Sequence, residues 1–354
     1  MTQLELFKKT TNHEHSGHFL FYAEFIEDLL ARYEKFENIN IEDIFQKYNA
    51  FSPVYIGMQN ISIPKPEQFS EYFKDFSAPE NAFINSLGVM EIPGSKFHFT
   101  RYISPLRNID SLKEIEKIPI ISLENAHSDG MKKSAEIAHS QGKVVCSWIG
   151  HMYEEAWQVR GYEEFLMDMI AAPENCEYLL DKFTKNNMIA TIAAVENGAD
   201  IIKTGDDVAN QRAMMFNTDL WRKFMKPRWA KVYEKAKSIN PDIQIWYHSD
   251  GNIWDIIPDL IDIGVTILNP VQPECLDVEK VKKEFGKHLI LDGVIGTQTT
   301  MPFGNIDEVK NTVRKVKETC GYDGALIISP THVLEPEVPL ENIRAFFEEC
   351  NKSN

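Results

Sequence analysis

The chain has 354 residues, 43% of them apolar and 25% charged, a balance that supplies a large core and carries no sign of disorder. Its formal charge of −16 disfavours nucleic acid and anionic membrane surfaces as partners, because both select clustered Lys and Arg. No apolar run approaches the roughly 18 residues of a membrane span, and the N-terminal MTQLELFKKTTNHEHSGH has neither the apolar stretch nor the cleavage site of a secretory signal, so a cytoplasmic protein is expected.

Two short apolar runs near the start, HFLFYA at 18–23 and FSPVYIG at 51–57, read as strands. His13, His15 and His18 read as a solvated polar stretch. The segment 60–125 has no sustained period and reads as an irregular N-terminal insertion, within which His98 is assigned no place. From residue 144 onward, β-branched runs alternate with helical stretches. The runs are VVCSWIG at 144–150, ADIIKTG at 199–205, IQIWYH at 243–248, VTILNP at 265–270, HLILDG at 288–293 and ALIISP at 325–330. Between them, 163–198 has apolar residues at three- and four-residue spacing and ends at Gly198, which suits a left-handed stop; 279–285, 307–319 and 340–350 behave likewise. Trp221, Phe224 and Trp229, at helical spacing, read as packing. This alternation is the signature of parallel βα units, and six clear strands plus two upstream allow an α/β fold of the (β/α)8 TIM-barrel type. With no internal repeat and no Gly-, Ser- or Pro-rich linker, 1–354 is expected to form one domain. Cys146, Cys176, Cys275, Cys320 and Cys350 are scattered without a CxxC pair, which disfavours a disulfide framework or a cysteine-rich zinc site.

A barrel of this kind assembles its site at the C-terminal ends of its strands. There the sequence places His151 and Glu154, then Asp206, Asp207 and Gln211, then His248, Ser249 and Asp250. Asn269, Gln272 and Glu274 follow, then Asp292 and Gln298, and finally Thr331 and His332. Each also has a plain structural reading: Asp206 and Asp207 as helix N-caps, Asp250-Gly251 as a turn, Asn269-Pro270 as a turn initiator. His248, His332 and Asp250 together offer two imidazoles and a carboxylate, a set that zinc accepts while keeping an open position. Spacing alone leaves both readings open.

These same segments carry a resemblance. YHSDGNIWDIIPDLIDIGVTILNPVQPE, LILDGVIGTQTTMPFGNIDEV and GALIISPTHVLEPEVPLENIRAFFE resemble the C-terminal half of the uroporphyrinogen decarboxylase superfamily. KTGDDVANQRAMMFNTDLWRKFMKPRWAKVYEKAK and EEAWQVRGYEEFLMDMIAAPE are similar to its central segments. The likeness runs from about Lys143 to the C-terminus and is looser before it. It implies a (β/α)8 barrel that pairs as a homodimer. True decarboxylases of the superfamily carry an RQAGRY motif and an FSD motif with the catalytic aspartate; this chain reads HFLFYAEFIEDLLARY and FSPVYIGMQ, with Pro53 where that aspartate would stand.

The other branch of the superfamily comprises zinc-dependent methyltransferases that work with corrinoid proteins, their ligands following H-x-C with a later cysteine. His248 matches the histidine, Asp250 takes the first cysteine's place, and His332 falls near the second within SPTHVLEP. What the resemblance implies is therefore a methyltransferase of one-carbon metabolism, of the methanogenic or acetogenic type. Its metal and catalytic residues would be His248, Asp250 and His332, and its cobalamin would be carried by a partner corrinoid protein. Oxygen and nitrogen in place of two thiolates make a harder Lewis acid, which suits an O-methyl donor better than a thiol acceptor. Glu154, Asp206, Asp207 and Gln211 are expected to line the substrate side, with Glu274 and Gln298 positioning. Two other readings stand beside this one. A decarboxylase for a smaller acid predicts arginines in the pocket, Arg160 and Arg212 being the candidates; a binding protein without chemistry predicts polar groups paired with one another and closed to solvent.

Overall fold

The structure, a computed structural model, describes residues 1–94 and 100–353; His98 lies outside the described residues. Eight parallel strands run β1 (Leu20–Phe21), β2 (Val54–Tyr55), β3 (Val145–Gly150), β4 (Ile201–Gly205), β5 (Gln244–His248), β6 (Ile267–Asn269), β7 (Ile290–Leu291) and β8 (Ile327–Ile328). Continuous ladders join β2 through β7 in chain order, and β1 pairs with β8. The ring closes through the Leu291–Leu326 and Ile295–Pro330 bridges at the β7–β8 seam and through the Phe51 amide donating to the Phe21 carbonyl at 2.7 Å between β1 and β2. The expected (β/α)8 barrel is therefore present.

Period-2 alternation divides the strand side chains between two cores. Leu20, Cys146, Ile201, Ile267, Ile290 and Ile327 point into the barrel, whose floor is sealed by Leu6 and Phe7 of the helix Gln3–Thr11. Neighbours of the opposite parity, such as Val145, Ile202, Ile245, Leu268 and Ile328, pack outward against the helices. The inward parity of β4 then brings Lys203 and Gly205 above Ile201, and that of β5 brings Trp246 and His248 above Gln244.

Two expectations need correcting. The stretch 163–198 is two helices, Tyr162–Ala171 and Pro173–Glu196, because the residue before a proline is pushed out of the helical region and Ala172 sits at φ −144°, ψ 62°. The 60–125 insertion also holds regular structure: a helical turn over Pro66–Phe73 and an antiparallel sheet of Phe83–Ile84, Met90–Pro93 and Thr100–Ile103. Strands of two to four residues are too short to show a period in sequence. Among the described residues, no helix is long and apolar enough to cross a membrane.

Candidate active site

At the C-terminal ends of the strands a cavity of about 390 Å³ opens, lined among others by Tyr22, Glu24, Tyr55, Trp148, His151, Glu154, Lys203, Asp207, Trp246, His248, Asn269 and His332. Four of the expected site residues, Glu154, Asp207, His248 and His332, thus share one space.

His248 ends β5, and its ring stacks on Trp246 two residues earlier (centroids 5.6 Å apart, 17° between planes). A Cβ at Gly205 of β4 would collide with the His248 backbone, so only glycine lets the strand ends approach this closely. The imidazole is oriented from behind. Nδ1 lies 2.7 Å from Asn269 Oδ1, and Asn269 donates its own amide to Asp292 Oδ2 at 3.0 Å. Because the amide's N–H is spent on Asp292, its oxygen must face His248, which fixes Nδ1 as the donor and leaves the Nε2 lone pair free to accept or ligate. Asp292 is itself saturated. It accepts from Trp246 Nε1 (2.8 Å), the Tyr22 hydroxyl (3.0 Å) and the Ser329 hydroxyl (2.8 Å).

In front of His248, Asp207 Oδ1 stands 3.7 Å from Nε2 and accepts the Asp250 amide at 2.8 Å. Ligand atoms of Asp207, His248 and Asp250 all fall within 4.8 Å of one another. Asp250 Oδ1 is buried with no hydrogen-bond partner among the described residues. Burial raises the Asp207 carboxyl above its ordinary value; His248 opposes this, while Glu154 and Asp250 add to it by like-charge repulsion. An orphan oxygen, a presented nitrogen and crowded carboxylates make a donor set that fits a divalent cation such as zinc. The set differs from the expected one in a single member, since Asp207 stands where His332 was anticipated. His332 is an exposed loop residue on the same cavity but does not join the ligand group with His248 and Asp250.

A second imidazole–carboxylate cluster flanks the first. His151 Nδ1 lies 2.7 Å from both Glu154 Oε2 and the Gly205 carbonyl. Burial disfavours the imidazolium, yet the hydrogen bond and charge of Glu154, the charge of Asp206 and the Gly205 carbonyl outweigh it and push the pKa to about 10. Asp206 is fully buried. Its Oδ1 accepts the Met152 and Glu154 amides at 2.8 and 3.1 Å, capping the helix Tyr153–Arg160, and its Oδ2 accepts Trp229 Nε1 at 3.0 Å. The expected substrate-facing role of Asp206 is corrected accordingly, because both of its oxygens serve the fold.

Gln211, Glu274 and Gln298 also lie elsewhere than expected. None lines the cavity. Gln211 Nε2 donates to Gln298 Oε1 at 2.5 Å, and Glu274 Oε1 accepts the Gln298 amide and the Thr299 hydroxyl at 3.2 and 2.9 Å, which ties the three into one loop cluster. Sequence reasoning missed Lys203, Trp246, Tyr22 and Tyr55. The available signal was a lysine inside the otherwise apolar ADIIKTG strand, at the same parity as Ile201 and Gly205.

Eight parallel strands closed around a packed interior, with a polar cavity at their C-terminal ends, define an α/β barrel whose site lies where such barrels place their chemistry. The chain belongs to the uroporphyrinogen decarboxylase (URO-D) family, which matches residues 106–353. It is 29% identical over 183 residues to the methylcobamide:CoM methyltransferase MtaA of Methanosarcina barkeri; the matched stretch is 52% of this chain and spans 50% of that protein. A solved methyltransferase from Methanosarcina mazei superposes over 75% of each chain with a TM-score of 0.56 at 22% identity, which supports the shared fold.

Proposed function

We propose that this protein is a corrinoid-dependent methyltransferase acting on a small O-methyl compound. Family membership and the likeness to a methylcobamide:CoM methyltransferase support methyl transfer in general. The observation that carries the reading is His248 Nε2, presented by the Asn269–Asp292 relay toward Asp207 and Asp250 at the mouth of a closed barrel. Those three residues would hold a zinc ion, which when bound would supply Lewis acidity at the substrate oxygen. In the transfer, the C–O bond would break with its electron pair staying on oxygen, and a partner corrinoid protein, as co-substrate, would supply the Co(I) electron pair that accepts the methyl group. Asn269 and Asp292 keep His248 in one tautomer, Trp246 would exclude water from one wall, and His332 at the rim would return a proton to the leaving oxygen.

The decarboxylase alternative asks for arginines in the pocket. Among the described residues none lines it: Arg160 is buried against Asp168 Oδ2 (2.6 Å) and the Leu106 carbonyl (2.8 Å), and Arg212 lies exposed in the 209–214 loop. The decisive experiment is metal analysis of protein purified without chelator, together with an optical assay of Co(I) consumption on a corrinoid protein with methoxylated donors. One equivalent of zinc and donor-dependent loss of Co(I) are expected; protein that binds no metal and leaves Co(I) unchanged would overturn the reading.

A further inference from the structure

Beneath the His248 cluster, the floor of the same cavity holds a charge that nothing above uses. Lys203 is 8% exposed, yet its ammonium opens on the cavity, and it is the one lysine or arginine among the lining residues. Aromatic faces surround it, with centroids at 4.5 Å (Trp246), 5.5 Å (Tyr55) and 5.7 Å (Tyr22). No carboxylate of the described residues forms an ion pair with it, although Glu24 lies on the same cavity. Burial opposes the charge, but Tyr55, which also takes a hydrogen bond from the ammonium, together with Cys146 and Glu24 outweighs it and raises the Lys203 pKa above its ordinary value. Ring quadrupoles attract a cation without accepting its hydrogen bonds in full, so a buried ammonium with three donors still lacks an anionic acceptor. Trp246 is shared: Lys203 sits over its ring and His248 stacks on it, so one indole contacts both the ammonium and the imidazole of the ligand cluster. Trp148, 45% exposed, meets Trp246 at 67° and turns the wall into an aromatic corner.

We propose that Lys203 anchors an oxyanion of the substrate, and that the cavity accepts a small methoxylated aryl acid, carboxylate or sulfonate. Its anion lies against the Lys203 ammonium, its ring lies in the corner of Trp148 and Trp246, and its methyl-bearing oxygen points to His248. The methoxyl end rests on the methyltransferase reading; the anchor does not.

The test is calorimetric titration of wild-type, Lys203→Met and Lys203→Gln protein with 3-methoxybenzoate, 3-methoxybenzenesulfonate and the neutral 3-methoxybenzamide. A charge-assisted contact predicts that wild type binds at least one anion about 10- to 100-fold more tightly than the amide. Both variants should lose that preference and bind all three with the amide's affinity, which also reports an intact cavity. The ratio of the two anions tells carboxylate from sulfonate. Equal affinity of wild type for anion and amide, no binding of any probe, or a preference that survives in either variant would overturn the anchor. If one variant fails to fold, the wild-type comparison and the other variant still decide. Lys203-dependent binding without methyl transfer to a corrinoid would support the anchor while removing the methyltransferase reading.

Discussion

Two imidazoles stand at the mouth of this barrel on either side of β4, one after β3 and one at the end of β5, and their surroundings set them apart. His151 is consumed internally: its Nδ1 meets Glu154 and a backbone carbonyl, its charge is balanced, and its neighbour Asp206 is spent on a helix cap and an indole. His248 is held from behind by a neutral amide, and its free nitrogen faces carboxylates, one with an orphan oxygen. The same residue types thus give a closed cluster and an open one. Any cation entering the His151 cluster must first displace a strongly held proton, whereas the His248 cluster presents a lone pair.

The sharpest way to break that contrast is to delete each imidazole in turn. His248→Ala should weaken zinc binding by more than the roughly 100-fold that loss of an outer-shell partner costs, whereas His151→Ala should keep its metal. Metal content after dialysis against a graded chelator reads both, and the reverse pattern would exchange the roles of the two clusters. Next in size is the relay. Asp292→Asn puts an amide where four donors now converge, and should lower zinc affinity about 10- to 100-fold and destabilise the fold by about 1–3 kcal/mol, read by chelator competition and urea unfolding.

A smaller effect concerns pH. The folded pKa of His151 lies above its ordinary 6.5, at about 10, so the stability this pairing adds is complete below pH 6.5 and is lost as pH rises through about 10. Glu154, held below its ordinary value by His151 against the opposing effect of burial, acts with the opposite sign and loses its share only as pH falls into the acid range. Urea unfolding of wild type and His151→Gln across pH 6 to 10 should therefore converge at the alkaline end. A constant difference would mean that His151 is neutral in the folded state. The smallest effect is expected at the loop cluster. Gln298→Ala, at an exposed position off the cavity, should change stability by no more than about 0.5 kcal/mol and leave substrate affinity within about 3-fold, measured by the same unfolding and by titration.

Much of this arrangement is written in residue parity. From β3 onward the strands are legible because β-branched runs alternate with long helical segments, and the wall of the site follows if inward parity is carried past each strand end. Ile201, Lys203, Gly205 and Asp207 form one series, and Trp246, His248 and Asp250 another; Ile267 leads to Asn269 and Ile290 to Asp292. Asp206 falls on the outward series and caps a helix, but the helix is Tyr153–Arg160 of the preceding βα unit and not one that follows it in sequence, so neither reading of its position foresaw the contact. His332 and Gln298 lie in loops, where the strand period no longer applies, so spacing could not say whether they reach the ligand cluster. The insertion at 60–125 is the least legible region, because its strands end before a pattern repeats.

Trp246 touches both ends of the proposed site: its face bears the Lys203 ammonium, its edge donates to Asp292, and the His248 ring lies across it. An indole in contact with both a fixed positive charge and a metal-binding ring is an optical gauge of both. Metal uptake and anion capture should each shift its emission, and the same titrations on Trp246→Phe protein separate that signal from the other five tryptophans, so the order in which the barrel fills can be read.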